Sequence, residues 1–461
     1  MRPGKPTLAA AAYAVPFLVF ATVYIPAAGH GFISDDFNWI LRNRIRSLAD
    51  VGHIALGDNG FYRPAVAFTF AANELMFGLA PRGYGLTNVL LALLAGAAVY
   101  GLCRSLALPR GAAAFGAALW LLNLHGINMG ILWISGRTAL IASAAAAACT
   151  AALLRGRYSV AAAMLAVAVS SREDAALLPA VATVWAYVLS RHGAIAPIRI
   201  GRWMLIGAVV LTGYFAVRST TDAMTPATAP AHYQFTASPD VLLRNVAEYS
   251  DRTMTVAVGV LLLLAIVLRQ NPRFLDARSR AIVLCGLVWL VAFLGPALVL
   301  PVRSSLYACL PSVGVCVAAA ALASRWWPLA SASRQRYALV AAVLLPLLMW
   351  PVYHGRTKRW VGIAEFCARA LSDLEANTRN LPEDSDILIV DARAARANMA
   401  SAFSSLLREA FLLQSGRYMT FYVDPPIPSA DGVSGGAAGC GGCEDVRLSV
   451  RDGRLEREPA R

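Results

Sequence analysis

The sequence consists largely of long apolar runs separated by short polar segments. The first run extends from Thr7 to Ala28, and a helix needs about 20 apolar residues to cross a bilayer. Ten further runs lie at approximately 84–102, 111–130, 134–154, 158–170, 174–190, 203–218, 253–268, 281–300, 305–323 and 337–352. The pattern therefore predicts an all-α polytopic membrane protein with about eleven transmembrane helices. The short fifth run is also compatible with a re-entrant hairpin at residues 170–174.

The composition supports a membrane protein and does not indicate a nucleic-acid partner. The 461 residues are 58% hydrophobic and 15% charged, with a formal net charge of +14. The arginines lie in short loops between the apolar runs, so they form no continuous basic face for nucleic acid. The first run is longer than the apolar core of a typical secretory signal, which favours an uncleaved first span. We therefore expect membrane lipid, and no nucleic acid, as a partner.

The distribution of charge predicts the orientation of the chain. One set of loops carries most of the arginines of the membrane region and almost no acid; these loops contain residues 2–5, 104–110, 155–157, 191–202, 269–280 and 325–336. The positive-inside rule places this set in the cytoplasm. The opposite set carries most of the acids. We therefore expect a multi-pass protein of the bacterial inner (cytoplasmic) membrane, with the first loop and the C-terminal region on the periplasmic side.

Two loops on the predicted periplasmic side are long enough to carry helices of their own. The first, residues 29–82, predicts a surface helix at Asn38–Ala49 and an amphipathic helix at Ala65–Phe77. Such helices lie in the membrane interface and can roof a cavity that opens towards lipid. The second, residues 219–252, predicts an amphipathic helix at Pro239–Asp251. Both a lid and a solvated connector fit the second loop.

The region after the last apolar run predicts a small α/β unit. Helical patterns at Trp360–Arg379 and Ala397–Leu413 alternate with strand patterns at Asp386–Asp391 and Tyr418–Val423. The remaining tail is rich in Gly, Pro and charge, so we expect it to be partly disordered apart from a strand at 446–450. The predicted division is therefore a membrane domain at 1–353, a periplasmic α/β domain at 354–424 and a tail at 425–461. Cys440 and Cys443 form a CGGC segment, which predicts a local disulfide if this tail lies outside the cytoplasm.

Two adjacent acids, Asp35 and Asp36, lie shortly after the end of the first apolar run. One acid here is explained by helix capping, because a carboxylate before a helical run is an ordinary N-cap. The second acid is not explained in this way, and ionisable residues close to the membrane are costly unless they bind or react. We therefore interpret the pair as catalytic or cation-binding.

Further polar residues on the same predicted side complete a candidate site. Four arginines are least explained by capping or topology: Arg63, Arg137, Arg172 and Arg303. The candidate pocket residues are Glu173, Tyr62 and Tyr307. A guanidinium fork suits a lipid phosphate. A structural role is open for each arginine: Arg63 could anchor a helix at the interface, Arg137 could snorkel towards water, and Arg172 could pair with Glu173.

The sequence also leaves open whether the candidate site binds a divalent cation. The carboxylates of Asp35, Asp36 and Glu173 would offer oxygen ligands of the kind that Mg²⁺ and Mn²⁺ prefer. The histidines do not suggest a transition-metal site, because His30, His53 and His125 are scattered along the chain.

Five segments in a fixed order carry a family resemblance: SDDFNWILRN, FYRPAVAFTFAANELMFGLAPRGYGLTNVLLALLAGAAVYGL, WISGRTALIAS, SSREDAALLPA and PVRSSLYACLPSVGV. Together they resemble the GT-C superfamily of membrane glycosyltransferases over roughly residues 7–352. The family 39-like protein O-mannosyltransferases and the transmembrane O-mannosyltransferases with tetratricopeptide repeats are the most similar in pattern. This chain departs from them in two ways: the repeats are replaced by the α/β unit, and Ala139 stands where an acid would suit the motif.

The resemblance implies a function and assigns roles. It implies a polyprenyl-phosphate sugar donor, an active site at the outer leaflet and inversion at the anomeric carbon. The catalytic base maps onto Asp35, with Asp36 as an assisting or alternative acid, and the arginines that hold the donor phosphate map onto Arg63, Arg137, Arg172 and Arg303. The acceptor would be a hydroxyl of a protein, glycan or lipid in the cell envelope.

Two other classes of function fit the sequence. A transporter or flippase would also need many spans and a polar cavity, although transport sites usually lie near the bilayer midplane. A non-catalytic membrane scaffold would use the acids only as helix caps.

Overall fold

The computed structural model describes residues 8–57, 60–225, 228–270, 275–383, 385–392, 395–426 and 446–458. Within these residues the α-helices are α1 (Leu8–Ala27), α2 (Asp36–Arg42), α3 (Leu48–Leu56), α4 (Pro64–Phe77), α5 (Pro81–Ser105), α6 (Arg110–Leu121), α7 (Gly126–Leu132), α8 (Arg137–Leu154), α9 (Tyr158–Val169), α10 (Leu178–Arg191), α11 (Ile200–Arg218), α12 (Pro239–Leu268), α13 (Ala277–Leu298), α14 (Cys309–Trp326), α15 (Ala332–Thr378), α16 (Met399–Phe403) and α17 (Leu407–Ser415). The strands are β1 (Asp386–Val390), β2 (Thr420–Asp424), β3 (Val446–Arg451) and β4 (Arg454–Arg457).

The predicted polytopic membrane fold is confirmed. Among the described residues, eight helical segments are long and apolar enough to cross a membrane, and they contain α1, α5, α8, α11, α12, α13, α14 and α15. The pair α6 and α7, bent by 64°, would be a ninth span. Helices α9 and α10 have 12 and 14 residues. Each of the eleven predicted apolar runs thus coincides with a helix or a helix pair. The predicted number of spans was too high, because α9 and α10 are too short to count among the eight or nine candidates of the described chain.

The spanning helices divide into a central and a peripheral group. In the most apolar part of the α8 segment 89% of residues are buried, and in the α14 segment 83% are buried, whereas the corresponding share for α11, α12 and α15 is 17%. An apolar helix with so little burial inside the protein leaves its side chains for lipid. Helices α8 and α14 therefore form the centre of the bundle, and α11, α12 and α15 form its lipid-facing periphery.

Two helices are longer than predicted. The predicted loop helix at 239–251 and the following span form the single helix α12, and the last span and the helix predicted at 360–379 form the 47-residue helix α15. The prediction of separate elements was wrong, because charged residues mark where a helix leaves the membrane and not where the helix ends. The predicted domain boundary at residue 353 consequently lies inside α15, which joins the bundle to the C-terminal unit without a break.

The first loop folds into three helices. The predicted helix at 38–49 is wrong in extent, because α2 ends at Arg42 and a new helix, α3, begins after Ser47. Ser47 starts it with a capping box: its backbone N–H and hydroxyl donate to the Asp50 carboxylate over 2.6 and 3.1 Å. The predicted amphipathic helix is confirmed as α4, with Pro64 in its first turn.

The C-terminal unit is a four-stranded sheet with the order β2-β1-β3-β4. Strand β1 pairs in parallel with β2 and β3, and β4 pairs antiparallel with β3. The three predicted strands are confirmed, and β4 was not predicted. The helix predicted at 397–413 is instead two helices, because Ser404 has a left-handed backbone (φ 49°) that ends α16. Cys440, Cys443 and most of the predicted disordered tail lie outside the described residues.

The sheet unit and the first loop share one apolar core. Buried side chains of the loop, including Phe37 and Phe70, belong to the same cluster as Phe366 of α15 and Phe403 and Phe411 of the C-terminal unit. The rings of Phe37 and Phe403 stack with centroids 6.2 Å apart. The loop that carries the two acids is therefore held between the helical bundle and the sheet unit.

Candidate active site

Asp36 is completely buried and fully engaged by protein donors. One carboxylate oxygen accepts hydrogen bonds from the backbone N–H and the hydroxyl of Ser135, over 2.7 and 2.5 Å. The other oxygen accepts from the backbone N–H of Ile33 over 3.0 Å. Burial raises the pKa of Asp36 to about 7, against the opposing effect of these hydrogen bonds. Asp36 therefore ties α2 to the turn before α8.

Asp35 occupies the N-cap position of α2 but does not cap it. In the described structure its carboxylate makes no capping hydrogen bond, and it accepts one from the Ser34 hydroxyl over 3.3 Å. Burial raises the pKa of Asp35, while the Ser34 hydrogen bond and the positive charge of Arg63 oppose the rise. The capping role considered for this residue is therefore not what the structure shows. Asp35 is partly exposed, whereas Asp36 is buried, and the Asp35 carboxylate accepts fewer hydrogen bonds than that of Asp36.

Arg63 and Glu173 form an ion pair beside Asp35. The guanidinium donates from Nε and Nη2 to Glu173, with a closest distance of 2.7 Å, and stacks on the Phe61 ring at 4.2 Å. Arg218 at the end of α11 adds a second positive charge 3.5 Å from Glu173. Burial favours the neutral acid, but the charge and hydrogen bonds of Arg63 prevail and hold the pKa of Glu173 below its ordinary value. Both partners are therefore charged.

Arg172 pairs with Asp174. The sequence analysis had left open a different pairing, of Arg172 with its neighbour Glu173. Its Nε and Nη2 donate to the Asp174 carboxylate, with a closest distance of 2.9 Å. The same guanidinium lies over the ring of Tyr307 at 5.1 Å. Two consecutive acids after α9 thus each fix one arginine, and they bring Arg172 and the predicted pocket residue Tyr307 together.

Tyr233 completes the group and was missed by the sequence analysis. It lies in the second long loop, on a short 3₁₀ turn, and its ring meets that of Phe61 edge-on at 5.3 Å. Its pKa is raised by burial and responds to the charges of Asp35, Arg63 and Arg172, which places it among them. The signal that the sequence offered for Tyr233 was an aromatic residue in a loop rich in Pro and Thr. We define the Asp35 cluster as Asp35, Arg63, Arg172, Glu173, Tyr233 and Tyr307.

Arg137 does not join the Asp35 cluster. It is 0% exposed, so it does not snorkel. Its guanidinium donates to the side-chain oxygens of Asn88 and Asn73, over 3.0 and 2.8 Å, and to the carbonyl of Tyr84 over 3.3 Å. These partners lie on α4 and α5, so Arg137 connects three helices, and the donors that the sequence assigned to a phosphate are directed to protein acceptors.

Arg303 and Tyr62 also make structural contacts. Arg303 forms an ion pair with Glu248 of α12. The Tyr62 hydroxyl donates to the Ala55 carbonyl over 3.1 Å, and its ring packs against Tyr214 at 5.5 Å. Of the four predicted phosphate-binding arginines, the structure therefore brings Arg63 and Arg172 into the Asp35 cluster.

A cavity of about 300 Å³ lies between α2, α3 and α4. Arg63 borders it, so the cavity adjoins the Asp35 cluster. Other residues that line it are Trp39, Arg42, Asn43, His53 and Phe61. The lining thus combines aromatic and polar side chains, as ligand-binding pockets do.

The three acids considered for a cation do not converge on one point. Asp36 directs its oxygens to Ser135 and Ile33, and Glu173 directs its own to Arg63. Over the described ranges, no group of three or more His, Cys, Asp or Glu residues is arranged to hold a metal ion. Because a ligating carboxylate needs its lone pairs for the ion, this donor set does not fit a divalent cation, and we derive no step through one.

Comparison with solved structures identifies the fold. The crystal structure of ArnT from Cupriavidus metallidurans bound to undecaprenyl phosphate is similar with a TM-score of 0.52 and 13% identity, covering 95% of this chain and 93% of that one. The crystal structure of the Archaeoglobus fulgidus oligosaccharyltransferase in complex with Zn and sulfate is similar with a TM-score of 0.50 and 12% identity, covering 89% of this chain and 62% of that one. No protein-family model and no curated protein sequence matches this chain. The GT-C fold expected from the sequence is confirmed.

Proposed function

We propose that this protein is an inverting membrane glycosyltransferase. It moves a monosaccharide from a polyprenyl-phosphate donor to a hydroxyl acceptor of a protein, glycan or lipid, at the periplasmic face of the bacterial inner membrane. The observation that carries the proposal is the Asp35 cluster, in which the Asp35 carboxylate lies near Arg63, and Tyr233 lies near both Arg63 and Arg172. The crystal structure of ArnT, which has this fold, contains undecaprenyl phosphate, and this supports a polyprenyl-phosphate partner.

Asp35 is the proposed general base. Its carboxylate accepts the proton of the acceptor hydroxyl, and the hydroxyl oxygen attacks the anomeric carbon of the sugar. The bond between that carbon and the phosphate oxygen breaks, and its electron pair leaves with the polyprenyl phosphate. Attack opposite to the leaving group inverts the anomeric centre. Burial raises the pKa of Asp35, which brings its basicity closer to the working pH and favours proton transfer.

Arg63 and Arg172 are the proposed partners of the leaving phosphate. Each uses Nε and Nη2 to bind a carboxylate, which fixes the guanidinium plane, and we assign the Nη1 groups to the phosphate oxygens. Negative charge develops on those oxygens in the transition state, and preorganised positive groups stabilise it most strongly there. The adjoining cavity would receive the sugar or the acceptor.

The test is sugar transfer by the purified protein in lipid. Radiolabelled polyprenyl-phosphate sugars and a crude envelope acceptor fraction are incubated with the wild type, Asp35→Asn and Asp222→Asn. Asp222 is exposed on the second long loop, so its variant is a matched control. We expect transfer by the wild type and by the control, and at least about 100-fold less by Asp35→Asn.

Two other results would contradict the proposal. Equal transfer by Asp35→Asn would remove Asp35 as the base. A wild type that transfers no label from any donor, but moves the labelled lipid across sealed vesicles, would indicate a flippase.

A further inference from the structure

The C-terminal unit makes two polar contacts with Ser34 of the Asp35 loop. The backbone N–H of Ser34 donates to the carbonyl of Ala402 over 2.7 Å, and the hydroxyl oxygens of Ser34 and Ser404 are 2.8 Å apart. These residues are far apart in the sequence, but the contact lies directly beside Asp35. The end of α16 therefore meets the loop at the residue before the proposed base.

We assign one direction to the hydroxyl protons at this contact, because a carboxylate can only accept. The Ser34 hydroxyl donates to a carboxylate oxygen of Asp35 over 3.3 Å. A serine hydroxyl has a single proton but accepts through two lone pairs. When that proton is directed to Asp35, the Ser404 hydroxyl must be the donor to Ser34. The hydrogen bonds thus run from Ser404 to Ser34 to Asp35.

Both serines adopt an uncommon backbone conformation. Ser34 has φ 51° and Ser404 has φ 49°, in the left-handed region that residues other than glycine, asparagine and aspartate rarely enter. Such a conformation persists only where the surrounding structure imposes it. Here the surroundings are the shared apolar core, in which Phe37 stacks on Phe403. Packing therefore presses α2 and α16 together and holds the two hydroxyls in contact.

We propose that Ser404 is a positioning residue, through which the C-terminal α/β unit holds Asp35 in its reactive position by way of Ser34. The inference rests on the proposed function of Asp35 and adds a role for the C-terminal unit. Ser404 itself does not touch the substrate. It acts on the reaction by fixing the direction of the Ser34 hydroxyl and the path of the backbone at residues 33–36.

The variant that tests this is Ser404→Gly. Glycine adopts a φ near 49° without strain, so the substitution removes the hydroxyl and leaves the turn after α16 intact. Ser415→Ala is the matched control, because the Ser415 hydroxyl bonds to the Phe411 carbonyl in the same unit and is not part of the contact with Ser34. Amide hydrogen exchange at residues 33–36 and the kinetics of sugar transfer are measured for both variants and for the wild type.

The proposal expects a local effect. Ser404→Gly should speed exchange at residues 33–36 by about 10-fold and leave exchange in strand β1 unchanged. It should lower kcat by about 10-fold with an unchanged KM for the donor, because the base is misplaced but the donor site is intact. Ser415→Ala should match the wild type in both measurements.

Three results would overturn it. Wild-type exchange at residues 33–36 in Ser404→Gly would show that Ser404 does not hold the loop. Faster exchange in β1 as well would indicate general loosening of the unit. Faster local exchange with an unchanged kcat would separate the contact from catalysis. If the wild type transfers no sugar, the proposed function fails, and the exchange measurement still decides whether Ser404 holds the loop.

Discussion

At the scale of single residues, the two adjacent aspartates differ because of their surroundings. Consecutive positions at a helix start point in directions about 100° apart, so Asp36 enters the interior while Asp35 faces the cluster. Asp36 accepts three hydrogen bonds from Ser135 and Ile33, and Asp35 accepts one from Ser34. The first acid is suited to react, and the second is suited to hold the loop.

The raised pKa of Asp36 predicts an effect of pH on stability. The folded-state pKa is about 7 and the ordinary value is 3.8, so between these pH values the folded chain binds a proton that the unfolded chain has lost. The free energy of unfolding of the wild type, compared with that of an uncharged variant, is therefore highest below pH 4. This difference falls by at most about 4 kcal/mol as the pH rises to 7. The measurement is the thermal midpoint of wild type minus that of Asp36→Asn in detergent, from pH 4 to 8.

The difference between the two proteins isolates Asp36 from other acids. Acids with lowered pKa values, such as Glu173, have the opposite pH dependence but are present in both proteins. A difference in midpoint that is constant from pH 4 to 8 would contradict the prediction. Asp36→Asn should also destabilise the folded protein at low pH by about 1–3 kcal/mol, because the amide N–H₂ of the new side chain faces a backbone N–H donor.

The bidentate pair of Arg63 with Glu173 predicts that lysine cannot replace arginine here. Arg63→Lys keeps the charge but loses the fork that fixes the guanidinium plane. We expect kcat/KM for the donor to fall by about 10- to 100-fold, measured by steady-state transfer. Arg244→Lys, on an exposed position of α12, should remain within about 2-fold of the wild type. Equal losses in the two variants would point to a general effect of surface charge.

The sequence could supply most candidates for the site but not their partners. Asp35 and Arg63 were predictable because ionisable residues next to apolar runs are rare and stand out. The pairing of Glu173 with Arg63, which comes from another loop, depends on how that loop packs against the turn after α9. The pairing of Arg172 with Asp174 is local and depends on the backbone of that turn. Tyr233 was missed for the same reason, since a loop tyrosine has no signal of its own until the fold brings it beside Arg63.

At the scale of elements, the close crossing of α13 and α14 depends on glycine. A Cβ at Gly286 would lie 2.5 Å from the backbone oxygen of Gly314, closer than any real Cβ contact, so the two helices can approach only because neither residue has a side chain. Gly286→Ala should therefore destabilise the protein by about 1–3 kcal/mol, seen as a lower thermal midpoint in detergent.

Gly259 provides the control for this crossing. It lies in the spanning helix α12, is exposed, and has no atom within 4 Å of an added Cβ. Gly259→Ala should be neutral or stabilise by up to about 1 kcal/mol, because alanine has the better helix propensity. If both substitutions lower the midpoint equally, the crossing is not the cause.

The helices were predictable and their continuity was not. Apolar runs of about 20 residues must form helices in lipid, because every backbone N–H and C=O needs an internal partner. That requirement ends at the membrane surface, and beyond it the sequence of α15 changes from apolar to charged. Pro351 and Gly355 are residues that often end a helix, but α15 continues through both. Two elements were therefore predicted where one helix continues and carries the C-terminal unit.

At the scale of the whole molecule, the C-terminal unit and the first loop are parts of one folded body. They share an apolar core that includes Phe37, Phe70, Phe366 and Phe403, so neither can bury its apolar surface alone. The predicted division at residue 353 separates membrane-spanning from exposed sequence, whereas the core crosses this division. The apolar runs were predictable from the sequence, but a core formed by residues more than 300 positions apart was not.

This shared core predicts that deleting residues 381–461 will loosen the first loop while the bundle stays folded. The deletion removes Phe403 and the sheet and exposes Phe37 of α2. The link between α2 and α3 then keeps the ion pairs of Arg44 and Arg46 with Glu74 but loses the packing that holds α2. Trypsin should then cut at Arg44 and Arg46 at least about 10-fold faster than in the full chain, since local opening controls cleavage. Cleavage at Arg199, in the link before α11, serves as the control and should keep its rate, because that link makes no contact with the deleted part among the described residues. Faster cleavage at both places would mean that the bundle itself depends on the C-terminal unit, and an unchanged rate at Arg44 and Arg46 would mean that the loop is held by the bundle alone.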